Sequence, residues 1–341
     1  MVQHKNKKIV DQVPFWLTIY DDGSVDRTFT GPPEFKFMAE PVPPHEQFVD
    51  GVATRDVVTD EKSGRRVRLY VPERAPGDAE KLPVVVHFHG GGFCISEADW
   101  FMYYKMYTRF ARTARVIIVS PFLRRAPEHR LPAAFDDGFS CLLWLQSVAK
   151  CDPTAATTEP WLAKRADFSR VFLIGDSSGG NIVHAVAARA GEVDLSPVRV
   201  SGAIPIHPGF VRSTRSKSEL EKPQSPFLNL EMVDKFLGLG LPAGSNKDHP
   251  FTCPMGEAAP PLEGLKLPPY LLCVADMDLI IDTEMEFYEA MKKAKKEVEL
   301  YVNPGMTHSF YLNCVGVDSD PDTGRQTREL IEKVKEFIDK H

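Results

Sequence analysis

The chain of 341 residues is 43% hydrophobic and 26% charged, and its 41 basic and 47 acidic side chains leave a formal charge of −6. That length fits one large domain or two ordinary ones, either of which can bury a sizeable core. The mild acidic balance, without long charge blocks, argues against a nucleic-acid or anionic-membrane surface, and no apolar run approaches the ~20 residues of a membrane span.

In chain order, the opening Met1 to Val10 is polar and Lys-rich and lacks the apolar core of a signal peptide, so a cytoplasmic location is expected. The first fifty residues hold Pro32, Pro33, Pro41, Pro43 and Pro44, which makes them too broken for long helices or a central strand. Strand-like runs follow at Ala53–Val58, Val67–Val71, Val84–His89, Val116–Ser120, Val171–Gly175, Val200–Ile206, Tyr270–Ala275 and Val298–Val302. Several are near-continuous Val/Ile/Leu stretches, as expected of strands covered on both faces. The first two are joined too tightly for a helical crossover and read as a hairpin.

Helix-like segments lie between the later strands, at Tyr103–Thr113, Ala133–Val148, Gly179–Ala190, Thr283–Lys296 and Thr327–Lys340. In the second of these, Phe135, Phe139, Leu142 and Leu143 share a face. Alternating strand and helix predicts a mostly parallel eight-stranded sheet with helices on both sides. The stretch His207–Pro268 interrupts the alternation, with one helix expected near Leu230–Leu237, and is too long for an ordinary connection. It reads as a lid inserted into a single domain, residues 1–341, and forms a cap with residues 1–50. The six cysteines are scattered without a CxxC, which favours free thiols and gives no clustered zinc ligands.

The sharpest motif is Gly175-Asp176-Ser177-Ser178-Gly179, a G-x-S-x-G between an apolar strand and a helix pattern. A serine on so tight a turn is exposed to substrate, and small residues two positions to either side let strand and helix approach. The helix N-terminus behind it favours developing negative charge. A second motif, His89-Gly90-Gly91-Gly92, ends another strand. It lacks the endings of a phosphate loop or a dinucleotide site. Beside a nucleophile it reads as an oxyanion hole, with the amides of Gly90, Gly91 and Ser178 as donors. His87 and His89 share a strand face, but no third ligand accompanies them and no metal is expected.

A serine alcohol needs a base, and the base needs an orienting acid. His308 follows the strand Val298–Val302 in a glycine-containing loop, and Asp278 lies just past Tyr270–Ala275, with Asp276 and Asp282 as rivals. All fall at strand ends on one edge of a parallel sheet, where ligands bind. The order Ser, Asp, His is that of one hydrolase architecture.

These residues resemble a known family. His89-Gly90-Gly91-Gly92-Phe93, the run Ala126 to Ala134, Gly175 to Asn181, the Asp278 and His308 loops and the opening Asp21 to Arg27 are together similar to plant carboxylesterases. These form the hormone-sensitive-lipase-like branch of the α/β-hydrolases, which also contains the gibberellin receptors. The resemblance runs from about residue 14 to the C-terminus. It implies an α/β-hydrolase fold, a triad of Ser177, Asp278 and His308, Gly90 and Gly91 as oxyanion donors, and hydrolysis of small or medium esters without cofactor or metal. Asp278 is preferred because Asp278-Leu279-Ile280-Ile281-Asp282 resembles the family's D-x-x-x-D loop. One departure is Phe122-Leu123-Arg124-Arg125, where relatives usually carry Asp-Tyr-Arg-Leu, and this bears on pocket shape. The receptors have lost the catalytic His, whereas His308 is retained here. Some plant relatives act as dehydratases or cyclases with the same site, which stands as the alternative.

Other residues invite blander readings. His129 and His184 read as structural, while His207 and His249 fall in the expected lid, where substrate contact is open. Lys292, Lys293, Lys295 and Lys296 read as a solvated face. Asp318, Asp320 and Asp322 match part of a calcium loop but lack its glycine, and read as loop solvation. A small-molecule partner is expected, and the oligomeric state is left open.

Overall fold

The structure, a computed structural model, describes residues 7–77, 79–151, 159–224 and 228–341; the first six residues of the polar N-terminal run lie outside it. The Pro-rich opening contains a small antiparallel sheet that its sequence did not suggest. Its strands are β1 (Ile9–Val13), β2 (Leu17–Tyr20) and β3 (Val25–Asp26). They are short and turn-linked, so alternation is hard to read there.

The main sheet has eight strands: β4 (Val52–Asp60), β5 (Arg65–Pro72), β6 (Leu82–Phe88), β7 (Ile117–Pro121), β8 (Ala166–Asp176), β9 (Val200–Ile206), β10 (Tyr270–Ala275) and β11 (Val298–Asn303). They run β4-β5-β7-β6-β8-β9-β10-β11 across the sheet. β4 and β5 form the expected hairpin, β5 also pairs antiparallel with β7, and every other neighbouring pair is parallel. All seven residues of β6 are buried, as are all six of β10, which is why these strands read as near-continuous apolar runs, interrupted in β6 by His87.

Alternation along β6 divides two cores. Val84, Val86 and Phe88 face one side, with Phe135 and Phe139 of α2 (Ala133–Lys150), Ile182 and Val186 of α4 (Ser178–Ala190), and Phe287 of α7 (Ile281–Lys293). Val85 faces the other, with Tyr107 and Phe110 of α1 (Phe101–Ala114) and Leu330, Val334 and Phe337 of α9 (Pro321–Lys340). The α9 stripe repeats at helical spacing, and each such side chain contributes about 1.5–3 kcal/mol relative to exposure. α9 starts six residues before the expected Thr327. Asp320, taken from sequence for loop solvation, accepts the Thr323 amide at 2.9 Å as N-cap, with Pro321 in the first turn.

The remaining helices are α3 (Pro160–Arg165), α5 (Lys217–Glu221), α6 (Leu230–Gly240) and α8 (Cys314–Ser319). The helix expected near Leu230–Leu237 is α6, in the segment after β9. Arg27 staples the N-terminal segment to the body: its guanidinium donates to Glu128, to the Ala126 carbonyl at 2.9 Å and to the Cys94 carbonyl at 2.6 Å. All six cysteines are free thiols. Among the described residues, no helix is long and apolar enough to cross a membrane.

Candidate active site

β8 delivers Ser177 to the end of the sheet on a backbone that a serine rarely adopts, φ 51° and ψ −124°. Such strain persists only where the surroundings over-determine it. Here they do: the Ser177 amide donates to the Ile206 carbonyl at 3.1 Å, and its carbonyl accepts from the amides of Gly180 and Gly209, each at 2.8 Å. The flanking glycines are required for contact. A Cβ on Gly179 would stand 2.0 Å from the Phe88 carbonyl oxygen, and one on Gly175 would stand 2.5 Å from that of Gly179.

β6 delivers the glycine loop. Gly91 and Gly92 hold φ of +99° and +59° and line the same cavity as Ser177 and Ser178. Gly90 corrects the expectation from sequence. Its amide is already engaged, donating to the Tyr103 hydroxyl at 3.0 Å, and Gly90 itself does not line the cavity. That hydroxyl in turn donates to Asp176 Oδ2 at 3.1 Å, tying the glycine loop to the residue before the nucleophile. A Cβ on Gly90 would meet that carboxylate at 2.4 Å. Gly92, which the sequence reading did not single out although it is the third glycine of the motif, lines the cavity in place of Gly90.

β10 and β11 end in two loops laced together. Asp276 Oδ1 accepts the Gly305 amide at 2.6 Å, and the Met277 amide donates to the Met306 carbonyl at 3.0 Å. Between them, His308 Nδ1 donates to Asp278 Oδ2 at 2.6 Å, and Asp278 Oδ1 accepts the Ile280 amide at 3.1 Å. The rival acids are engaged elsewhere, since Asp282 Oδ2 accepts the Ser218 amide at 2.7 Å. Asp278 is fully buried, which by itself penalises its charge. The His308 ring and the amide of Ile280 outweigh that, and its carboxyl stays below the usual range. Burial pulls His308 down, but the Asp278 carboxylate prevails and holds the imidazole above 6.5. With its proton on Nδ1, His308 presents the Nε2 lone pair, which has no hydrogen-bond partner among the described residues. Ser177 and His308 line one cavity of about 590 Å³.

Trp16, Phe35 and Met38 of the N-terminal segment and Met232, Val233 and Phe236 of α6 also line this cavity. No Lys or Arg of the described residues does. The departing stretch from Phe122 to Arg125 is absent from the walls. Phe122 lies under the Arg66 guanidinium, Arg124 pairs with Asp137, and Arg125 pairs with Glu97. None of the four residues of that departure therefore forms part of this cavity's lining.

The other histidines sort by burial. His87 Nδ1 bonds to the Ser120 hydroxyl at 2.8 Å, and burial pulls its pKa down. His89 is pushed down to about 4 by burial, with its ring on the Gly90 carbonyl. His184 is buried against the Tyr270 hydroxyl, as its structural reading expected, and His249 packs on Phe251. His207 is corrected: it sits at the end of β9, fully buried beside His308, and does not line the cavity. His207, Asp278 and His308 place potential ligand atoms within 4.8 Å of one another. At 2.6 Å, however, the Asp278–His308 contact is closer than the about 3.3 Å between two ligands of a tetrahedral ion with 2.0 Å bonds. These groups serve each other.

Comparison with known proteins agrees with this architecture. Residues 85–312 match the model of the α/β-hydrolase fold family. The chain is 34% identical over 307 residues to "Probable carboxylesterase 6" of Arabidopsis thaliana, covering 89% of this chain and 85% of that one. It is 37% identical over 289 residues to a gibberellin receptor of the same plant, covering 81% and 80%. It is also 33% identical over 337 residues to 2-hydroxyisoflavanone dehydratase of Glycyrrhiza echinata, covering 98% and 97%. Among solved structures, an esterase of Pyrobaculum calidifontis superposes with a TM-score of 0.66 at 23% identity, covering 84% of each chain.

Proposed function

This chain belongs to the α/β-hydrolases, in the hormone-sensitive-lipase-like branch with plant carboxylesterases and gibberellin receptors, and from that premise we propose that it is a serine carboxylic-ester hydrolase. The observation that carries the proposal is His308, anchored by Nδ1 to buried Asp278 with its Nε2 unpartnered among the described residues, in the wall of the same cavity as the strained Ser177. His308 takes the proton as the Ser177 oxygen attacks an ester carbonyl. The amides of Gly91, Gly92 and Ser178 receive the oxyanion, and the alcohol leaves with the proton held on Nε2. Water repeats these steps on the acyl-enzyme. No cofactor or metal enters the reaction. A mostly apolar cavity with no cationic lining suits a small or medium ester of neutral character. Residues 1–50 and 207–268 act as its cap.

Two relatives frame the alternatives. The dehydratase aligns along 98% of the chain, which keeps elimination or cyclisation on a plant metabolite as the second reading. A non-catalytic receptor is disfavoured by the retention of His308.

A short-chain nitrophenyl ester and an active-site fluorophosphonate followed by intact mass test the proposal. Wild type turns over and gains one adduct, while Ser177→Ala and His308→Ala each lose on the order of 10⁶ in turnover. A wild type that neither turns over nor gains the adduct refutes hydrolysis. A Ser177→Ala variant that still converts a native metabolite supports the lyase reading.

A further inference from the structure

His207 is a buried ionisable side chain beside the triad that the proposed mechanism does not use. It follows β9 with a positive φ of 44°, and its ring is 0% exposed. Its amide donates to the Cys273 carbonyl at 2.8 Å, which fixes it to the neighbouring strand. Its Nδ1 accepts the Ser309 amide at 2.9 Å. Ser309 follows the catalytic base and also sits in the left-handed region, at φ 50° and ψ 31°. Two non-glycine residues in an uncommon conformation thus face each other across one hydrogen bond.

Because Nδ1 accepts, the neutral ring carries its proton on Nε2. That atom has no hydrogen-bond partner among the described residues. The charged groups acting on the ring come from three strand ends: Asp278 after β10, His308 after β11 and Asp176 at the end of β8. Phe310 and Tyr311 pack on it, with ring centroids at 5.9 and 5.8 Å, and the His308 ring lies at 5.9 Å. Burial pushes His207 down to about 4, so it is neutral wherever His308 can act as a base. A neutral N–H beside Asp278 supports that carboxylate without competing for the catalytic proton.

We propose that His207 is a positioning residue, whose Nδ1 pins the Ser309 amide and so the His308 loop, and whose buried Nε2–H lies in the field of Asp278. It touches no substrate, because it does not line the cavity. The catalytic consequence rests on the hydrolase reading; the positioning itself does not.

Three substitutions separate the acceptor at Nδ1 from the donor at Nε2. His207→Asn retains an acceptor near the Nδ1 position, His207→Gln retains a donor near the Nε2 position, and His207→Leu retains neither. Turnover of a nitrophenyl ester is measured per site titrated to completion with fluorophosphonate. The low-field proton of the His308–Asp278 bond is followed by NMR. The expectation for His207→Leu is a fall in kcat per titrated site on the order of 10²-fold with KM within about threefold, since a base displaced by about 1 Å costs that much. Its low-field resonance is lost. Asn and Gln each recover about tenfold of the lost kcat. If His207→Leu does not fold, the other two decide: kcat about tenfold below wild type at unchanged KM supports the proposal, and wild-type kcat in both overturns it. Activity that falls only in proportion to titratable sites, with the resonance intact, also overturns it. If wild type has no esterase turnover, the hydrolase reading fails and NMR alone tests His207. Loss of the resonance in His207→Leu then upholds positioning, and its persistence refutes it.

Discussion

The chemistry of single residues turns on which proton is held where. In the proposed mechanism His308 acts as a base only when neutral, and the Asp278 carboxylate raises its pKa above 6.5 against the opposing effect of burial. A raised value means the imidazole is still protonated just above 6.5 and frees its lone pair only at higher pH. The acid limb of kcat/KM is therefore expected to have its midpoint above 6.5 in wild type, with activity lost as pH falls through it. In Asp278→Asn, burial acts without the opposing charge, so the midpoint drops below the wild-type value and turnover falls about 10⁴-fold. Profiles from pH 5 to 9 measure both, and a wild-type midpoint at or below 6.5 contradicts the assignment. The same scale shows what the sequence could not reveal. Ser177, Asp278 and His308 could be nominated from sequence because each lies in the turn or loop that follows a readable strand. That Gly90 turns its amide to Tyr103 while Gly91 and Gly92 face the cavity depends on a side chain thirteen residues away and on two positive φ angles. No local pattern encodes that.

At the scale of elements, β6, β9 and β10 were readable because nearly all their residues are buried on both faces, which leaves few polar ones, His87 in β6 and Ser201 in β9. The three short strands of the N-terminal sheet have one or no buried residue each and left no such trace. The start of α9 was obscured because Asp320 signals a cap only when the helix after it is already known. Where strand meets helix, the limiting contact is backbone on backbone: Gly179 of α4 lies against the Phe88 carbonyl of β6. An added methyl there has nowhere to go, so Gly179→Ala is expected to lose about 3 kcal/mol or more. Gly238 on α6 supplies the contrast. It is exposed, with nothing within 4 Å of a Cβ, and Gly238→Ala should gain about 0.5–1 kcal/mol from helix propensity alone. Urea unfolding of the pair measures both; equal midpoints for the two variants would refute the packing account.

For the molecule as a whole, pH acts on stability through groups that folding strips of water. The buried His87, His89, His184 and His207 all have lowered values, so the unfolded chain takes up protons first as pH falls and the fold weakens on the acid side. Glu284, at the start of α7, works at the other end. It is 0% exposed, and neither carboxyl oxygen has a hydrogen-bond partner among the described residues. Burial first, and then the Asp278 charge, raises its pKa well above the ordinary 4.5. Below 4.5 both states hold the proton and the group is neutral in its effect. As pH rises beyond 4.5, the unfolded chain ionises while the native chain does not, so stability is lost up to the raised folded value. Each pH unit of that window costs about 1.4 kcal/mol. Glu284→Gln removes the titration and leaves the histidine contribution common to both proteins. The stability of the variant minus that of wild type is therefore expected to grow as pH rises from 5 until the raised folded value is reached, whatever offset the amide introduces at pH 5. Urea midpoints at each pH measure this difference, and parallel profiles would place the Glu284 carboxyl in contact with water. A positive slope would identify a carboxyl kept protonated behind Asp278, so that the pH range favouring His308 as a base also draws on the stability of the fold that holds it.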